Sequence, residues 1–192
     1  MMNIIPYKLQ EMNIFYLKLF VSINILFPVF ILLVSSVGFF YGQTIHSIHI
    51  IIAFFGAVWL TYYLYKPMLC QLLAITLAVF CMLTLGQWLA RHVIDHWYDS
   101  RVYHLPAIIA LKYGWNPFTN IDVCSWSSKF CLPNYVLSNF YPKAVWILAA
   151  SFYSLTGNFE TGKTYNFICC VVSLVACLNF FLKGRYLSLA KS

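Results

Sequence analysis

Charged residues are scarce in this sequence, and acidic residues are the scarcest. Asp, Glu, Lys and Arg make up 9% of the 192 residues, and only five residues are acidic. A soluble domain usually carries about 25% charged residues, so this composition argues against a water-exposed fold. The 62% of hydrophobic residues indicates instead a protein whose surface is solvated by lipid.

The sequence also lacks a basic stripe and a zinc-type C-x-x-C pair. The net charge is +7, but Lys and Arg are scattered, mainly at the ends of apolar runs. This pattern is typical of membrane topology signals and argues against a nucleic-acid partner.

Cys124 and Cys131 lie in a polar stretch, where they form either a disulfide, if they face an oxidising compartment, or two thiols. We expect no cofactor, and a divalent metal requirement stays open.

Four apolar runs are long enough to cross a hydrocarbon core of about 30 Å. They are residues 19–41, 45–65, 68–90 and 164–182. The sequence therefore predicts an all-α integral membrane protein, with residues 1–192 forming a single membrane domain of about four transmembrane helices.

Residues 91–163, which we call the loop segment, connect the third and fourth runs, and residues 91–142 of this segment are too polar to span lipid. Within them, residues 102–111 predict a short interfacial helix with Pro106 in its first turns. Residues 143–156 predict another apolar helix, which is too short to span and is expected to be re-entrant or interfacial. Glu160 and Lys163 are interpreted as part of a polar turn.

The distribution of basic residues predicts the orientation. With the N-terminus inside, the inner segments hold Lys8, Lys18, Lys66, Lys183, Arg185 and Lys191. The first outer turn then has no Lys or Arg, as the positive-inside rule requires. We expect a multi-pass protein of the bacterial inner membrane, with both termini in the cytoplasm and the loop segment on the outer face.

The densest polar patch lies at residues 91–104, and three interpretations of it stay open. It is a solvated turn whose charges touch lipid headgroups, or a metal site, or an acid/base site. The metal ligands would be His92, Asp95, His96 and Asp99. In the acid/base interpretation, a carboxylate near the lipid surface, flanked by His and Arg, acts as a general base.

Three short motifs follow one another here: D-x-x-x-Y-H at 99–104, G-W-N-P at 114–117, and the Tyr141-Pro142 pair. Their order and spacing resemble the first outer loop of the GT-C glycosyltransferases, which are polytopic membrane enzymes. These enzymes use sugar donors linked to polyprenyl phosphate. The resemblance covers about residues 68–182.

The resemblance implies a role for each matching residue. Asp99 would be the catalytic base that deprotonates the acceptor hydroxyl, and Arg101 and His104 would neutralise the phosphate leaving group. The other implied substrate contacts are Tyr103, Trp115, Asn116 and Tyr141. Trp115 and Tyr141 are also interpreted as interface anchors, and Asn116 as the cap of a turn.

The resemblance therefore implies sugar transfer at the outer membrane face. Family members usually have more spanning helices, which implies a truncated or split enzyme, or a degenerate relative. The alternative is a non-catalytic membrane subunit that binds lipid carriers or scaffolds a larger complex with a partner subunit. A transporter or channel is disfavoured, because such proteins place charged residues in mid-helix and these four runs have almost none.

Overall fold

The computed structural model describes residues 4–94, 96, 104–120, 122–126 and 143–189, and these residues form helices and turns without strands. The helices are α1 (Ile4–Phe40), α2 (Ser47–Tyr65), α3 (Leu69–His92), α4 (Leu105–Tyr113), α5 (Val123–Trp126), α6 (Ala144–Thr156) and α7 (Thr164–Leu189). A short 3-10 segment, Phe159–Lys163, leads directly into α7. The predicted all-α fold class is confirmed over the described residues.

In the part of the chain that the structure describes, four helical stretches are long and apolar enough to cross a membrane. They are Met12–Phe40, Ser47–Tyr65, Leu69–His92 and Phe159–Leu178. The 19 residues of α2 extend about 28 Å, close to the thickness of a hydrocarbon core. Side chains such as Phe55 and Phe80, which are 65% and 57% exposed, are stable against lipid. The architecture is that of a multi-pass membrane protein.

Helices α1 and α2 form an antiparallel hairpin. At one end, the Ser22 hydroxyl donates a hydrogen bond to the Tyr65 hydroxyl over 3.1 Å. At the other end, the His49 ring packs so closely on Gly38 that an added Cβ would lie 3.0 Å from Cε1. We call this second end, where α1 and α3 end and α2 and α7 begin, the loop side.

Two spanning helices extend further than the apolar runs predict. Helix α1 begins at Ile4 and not near residue 19, and it continues through Pro28. Helix α7 continues to Leu189 and not to residue 182. Lys, Arg and Glu are good helix formers, so charged residues mark the edge of the hydrocarbon core without ending the helix.

Helix α6 is a core element of the loop side. Its predicted existence is confirmed, but eight consecutive residues, 146–153, are buried. It packs against α1, α2, α4, the 3-10 segment and α7. The Phe152 ring meets Phe27 of α1 edge to face, with ring centroids 6.1 Å apart. The Ser154 hydroxyl donates to the Ile45 carbonyl over 3.1 Å. A helix that is apolar on all sides is stabilised by packing on several neighbours.

Helix α4 covers α6 on the loop side. It runs from Leu105 to Tyr113 rather than ending at residue 111, with Pro106 in its first turn. It ends at Gly114, whose φ of 127° is unfavourable for other residues. The loop-side core consists of Phe39, Ile45, Ala107, Ala110, Leu111, Trp115, Val123, Trp146, Ile147 and Ala150. The described parts of the loop segment therefore fold onto the spanning helices.

Candidate functional site

A cavity of about 640 Å³ opens on the loop side. Its walls come from α4, α6, the 3-10 segment, the first turn of α7 and the residues that follow α3. Its lining residues are Ile94, His104, Leu105, Ile108, Val145, Trp146, Ala149, Phe159, Glu160, Gly162, Lys163, Tyr165 and Asn166. Cavities of about 300–1,000 Å³ commonly hold small molecules, so this cavity is the candidate site.

An ion pair forms the polar floor of the cavity. Glu160 is only 6% exposed, and its carboxylate pairs with the Lys163 ammonium group. Lys163 Nζ also donates to the carbonyl of Val93, at the end of α3, over 2.6 Å. An ammonium group has three N–H donors. Among the described residues, these two contacts leave one donor for a ligand.

The 3-10 segment holds this ion pair in position. Asn158 caps the segment, because its side-chain oxygen accepts a hydrogen bond from the Glu160 backbone N–H over 2.9 Å. Glu160 and Lys163 are three residues apart, and residues at this spacing eclipse in a 3-10 helix. The local sequence therefore places a carboxylate and an ammonium group side by side.

Gly162 brings the same segment close to α6. A Cβ added at Gly162 would lie 2.8 Å from the Ala149 Cβ and 3.2 Å from the Ala149 Cα. Real Cβ atoms do not approach other atoms this closely without a shift of the neighbour. Gly162 therefore permits the contact that forms one wall of the cavity.

His104 has a defined hydrogen-bonding state at the cavity wall. The indole N–H of Trp146 donates to His104 Nδ1 over 2.7 Å. Since an indole N–H can only donate, Nδ1 is the acceptor, and the neutral ring carries its proton on Nε2. The Trp146 side chain is 2% exposed, so a buried partner fixes the orientation of the imidazole.

Apolar side chains form the rim of the cavity. Ile94, Val145 and Phe159 are 60%, 53% and 41% exposed, whereas Glu160 beneath them is buried. This order of a polar floor and an apolar rim suits an amphiphile whose polar group enters first. The chemistry available at the floor is hydrogen bonding and charge pairing.

The structure brings one of the predicted site residues to the cavity. His104 lines it, whereas Trp115 and Asn116 lie elsewhere on the loop side. The other predicted site residues, Asp99, Arg101, Tyr103 and Tyr141, lie outside the described residues. Their implied roles stay predictions.

Trp115 and Asn116 have contacts that shape the fold. Trp115 is fully buried, and its indole N–H donates to the Asn120 carbonyl over 2.7 Å. The Asn116 amide donates to the Phe39 carbonyl, at the end of α1, over 2.6 Å. Its side-chain oxygen accepts from the Phe118 N–H over 2.9 Å, which is the turn-capping contact expected of this Asn.

Sequence reasoning misses Glu160 and Lys163, which it places in a polar turn. Only five residues of the chain are acidic, so a Glu directly before a spanning helix was the available signal. A Lys three residues later strengthens that signal, because the pair can bury its charge at the membrane surface. Spacing alone could not show that α6 closes over the pair.

Among the described residues, no three His, Cys, Asp or Glu side chains are placed to hold a metal ion. The predicted metal site also includes Asp95 and Asp99, which lie outside the described residues. Cys124 takes part in a disulfide, whereas Cys131, for which the sequence leaves a disulfide with Cys124 and a free thiol equally open, lies outside the described residues.

Two groups, one in α6 and one at its N-terminal cap, have shifted pKa values. Burial raises the pKa of Tyr153 above its ordinary value of 10.0, and a hydrogen bond with the Tyr113 side chain adds to the shift. The Lys112 ammonium group lies 3.8 Å from the centre of the Tyr153 ring, a cation–π contact between α4 and α6. Burial lowers the pKa of Lys143, at the start of α6, below 10.5.

No protein-family model matches the chain, and no curated protein or solved structure matches it. The function of the cavity is therefore argued from its own residues and from the motifs of the loop segment.

Proposed function

We propose that this chain is a GT-C-like membrane glycosyltransferase. It transfers a sugar from a polyprenyl-phosphate donor to an acceptor at the outer membrane face. One observation carries this proposal: His104, the last residue of the D-x-x-x-Y-H string, lines a cavity that has a polar floor and an apolar rim. Such a cavity suits lipid-linked substrates, whose polar heads react while their tails stay in the bilayer.

The proposed chemistry is general-base catalysis. Asp99 takes the proton of the acceptor hydroxyl as that oxygen attacks the anomeric carbon, and the polyprenyl phosphate leaves with the bonding electrons. His104, whose ring is held by the hydrogen bond from the Trp146 indole N–H to Nδ1, helps to neutralise the departing phosphate. Arg101 supplies positive charge to the same phosphate. Tyr103 and Tyr141 contact the substrates.

The proposed setting is the bacterial inner membrane, with both termini in the cytoplasm and the cavity on the outer face. Trp115 and Asn116 support this function through the fold. Asn116 ties the loop segment to the end of α1, and Trp115 fills the core beneath α4.

Sugar transfer tests the proposal directly. Membranes that contain the wild-type chain receive a labelled polyprenyl-phosphate sugar, and labelled product is extracted and counted. Asp99→Asn should lower transfer by a factor of about 100 or more, as expected for the loss of a general base. Asp122→Asn removes an acidic charge away from the cavity and should leave transfer unchanged. Wild-type membranes without transfer above that of empty membranes contradict the proposal.

A second function has one observation in its favour. Glu160 is the carboxylate that lines the cavity among the described residues, and it is paired with Lys163, which suits binding better than proton transfer. We infer as the alternative a non-catalytic subunit that binds a lipid carrier for a partner membrane protein. Saturable binding of a labelled polyprenyl phosphate without transfer supports this alternative, whereas transfer excludes it.

A further inference from the structure

We propose that Lys163 and Asn166 bind the phosphate group of a lipid phosphate that enters the cavity. Neither residue belongs to the three motifs of the sequence, so this assignment adds binding residues that the resemblance does not imply. The inference rests on the proposed function only in identifying the lipid phosphate as the sugar donor. The binding of the phosphate is tested separately from sugar transfer.

The ammonium group is the more accessible half of the ion pair. Both residues line the cavity, but the side chain of Lys163 is 29% exposed and that of Glu160 is 8% exposed. A phosphate that enters the cavity therefore meets the positive charge first. Because Coulomb energy falls with distance, an anion in contact with the ammonium group gains more attraction from it than the more shielded carboxylate costs in repulsion.

Two contacts hold the ammonium group in place before a ligand binds. It pairs with Glu160 and donates to the Val93 carbonyl over 2.6 Å, so the 3-10 segment and the end of α3 fix its position. An ammonium group has three N–H donors, and the third has no acceptor among the described residues. A donor that is already positioned loses little freedom on binding, which favours a charge-assisted hydrogen bond to a phosphate oxygen.

Asn166 supplies a second donor on the same wall. It lies in the first turn of α7, three residues after Lys163, and it is exposed and lines the cavity. Residues three apart lie on the same face of a helix. The side-chain amide has two N–H donors, and within the part of the chain that the structure describes it makes no hydrogen bond. It can therefore donate to the phosphate that Lys163 contacts.

The apolar rim indicates that the phosphate belongs to a lipid. Ile94, Val145 and Phe159 are exposed apolar side chains of the cavity, and Phe159 begins a stretch that is long and apolar enough to span a membrane. An alkyl chain attached to the phosphate can lie against these residues and continue into the bilayer. Inorganic phosphate would leave them uncovered, so a phosphate ester with an alkyl chain uses both parts of the cavity.

A photoreactive probe tests this specificity. The whole chain is placed in nanodiscs of phosphatidylcholine and treated with decyl phosphate that carries a diazirine in its alkyl chain. Labelled peptides are identified by mass spectrometry, with unlabelled decyl phosphate, decyl glucoside or inorganic phosphate as competitor. We expect saturable labelling of peptides that contain Val145 or Phe159, removed by decyl phosphate and retained with the other two. Competition by decyl glucoside or by inorganic phosphate that equals that of decyl phosphate overturns the inference.

Substitution of the two donors should change the affinity for decyl phosphate. Asn166→Asp places a carboxylate of similar size beside the ligand, so the affinity should fall about tenfold or more, because like charges repel. Lys163→Arg keeps a cation with enough N–H donors for the carboxylate, the carbonyl and the phosphate, and it should retain binding. Lys18→Gln, at an exposed lysine of α1 outside the cavity, is the control and should label as the wild type does.

A double variant separates phosphate binding from folding. Lys163→Gln alone leaves the buried Glu160 carboxylate without the Lys163 charge, so it is combined with Glu160→Gln to give an uncharged pair. The double variant should lose at least about tenfold in affinity, the usual effect of losing a charge-assisted hydrogen bond, and its thermal unfolding shows whether it is folded. A folded double variant with wild-type affinity overturns the inference. If the double variant does not fold, Asn166→Asp decides, and unchanged affinity in that variant overturns the inference.

Failure of this assignment and failure of the proposed function give different results. Decyl phosphate binding that depends on Lys163 and Asn166, in a chain without sugar transfer, overturns the proposed function and leaves this assignment standing. Sugar transfer by a chain whose decyl phosphate affinity ignores these substitutions overturns this assignment and leaves the proposed function standing.

Discussion

Asn116 connects two parts of the chain that are 77 residues apart. Its amide donates to the last turn of α1, and its side-chain oxygen closes the turn that follows α4. It is 8% exposed, so water does not replace these contacts easily. At the residue scale, the fold explains why Asn occupies position 116 of the G-W-N-P motif, because both the amide nitrogen and the amide oxygen have backbone partners.

We predict that Asn116→Ala destabilises the protein by about 1–3 kcal/mol, the cost of leaving buried backbone groups without partners. Asn116→Asp keeps the acceptor for Phe118 but loses the donor to Phe39, so it should destabilise by a similar amount. The measurement is the thermal unfolding midpoint in nanodiscs. Gln43→Ala, at an exposed position on the loop side, is the control. Unchanged unfolding midpoints for both Asn116 variants would show that the hydrogen bonds of Asn116 do not stabilise the fold.

The sequence could indicate Asn116 and His104 but not Glu160 and Lys163. The first two belong to strings with a recognisable order. Glu160 and Lys163 become candidate site residues only because α6 and α4 enclose the cavity that these two residues line. The burial of a charged pair depends on packing between helices that are far apart in the sequence. The spacing of residues along the chain does not show that packing.

At the scale of the helices, the sequence predicts the spanning elements well, because lipid demands long apolar runs and internally satisfied backbones. The existence of α6 also follows from its apolar run. Its position does not, since residues 143–156 would suit an interfacial helix, a re-entrant helix or a core helix. Contacts such as that of Phe152 with Phe27 decide between them.

The contact of α4 with α6 should weaken at high pH. Tyr153 has a raised pKa in the fold, so the folded state holds this proton more tightly than the unfolded state does. Its contribution to stability is complete below the ordinary value of 10.0 and is lost as pH rises through the higher folded value. Tyr153→Phe should therefore show a smaller fall in unfolding temperature between neutral pH and pH above 10.

Tyr41→Phe is the control for this experiment, because Tyr41 is 75% exposed and lies outside the contact of α4 with α6. The comparison is the slope of the unfolding temperature against pH in each variant. If Tyr153→Phe and Tyr41→Phe lose stability with equal slopes above neutral pH, Tyr153 does not link the two helices in the way described.

The contact of the 3-10 segment with α6 gives a second prediction at this scale. Gly162→Ala places a Cβ 2.8 Å from the Ala149 Cβ, so it should destabilise the protein by about 1–3 kcal/mol through overpacking. Adding Ala149→Gly removes the nearest atom and should recover part of that loss. Thermal unfolding of the two single variants and the double variant measures the coupling. Strict additivity of the two changes would show that the segments do not touch.

At the scale of the whole molecule, the sequence distributes its charges unevenly between the segments that flank the spanning helices. Residues 1–18, 66–68 and 183–192 contain six Lys or Arg and one Glu, and the loop segment contains six Lys or Arg and four acidic residues. Lys112 and Lys163 of the loop segment are further engaged with Tyr153 and Glu160. In the sequence, positive charge is therefore least compensated in the segments 1–18, 66–68 and 183–192.

This asymmetry predicts the orientation. Long loops influence topology weakly, whereas short ones obey the positive-inside rule. The short connection at 42–46 has no Lys or Arg, and the short connection that contains Lys66 has one. We therefore predict that the loop side and its cavity face outward. Single cysteines at Thr119 and at Lys66, both exposed, report the two ends. The background for both replaces the five cysteines that are free among the described residues by Ser or Ala.

A membrane-impermeant maleimide should label Thr119→Cys in intact cells, and it should label Lys66→Cys only after the membrane is opened. The parent background without either added cysteine controls for labelling of Cys124. Positive charge added at 42–46, for example by Gln43→Lys with Thr44→Lys, should weaken the preference for this orientation in the membrane, because both connections of α2 then carry Lys. Labelling of Lys66→Cys in intact cells would place the cavity inside, where the proposed outer-face transfer could not occur.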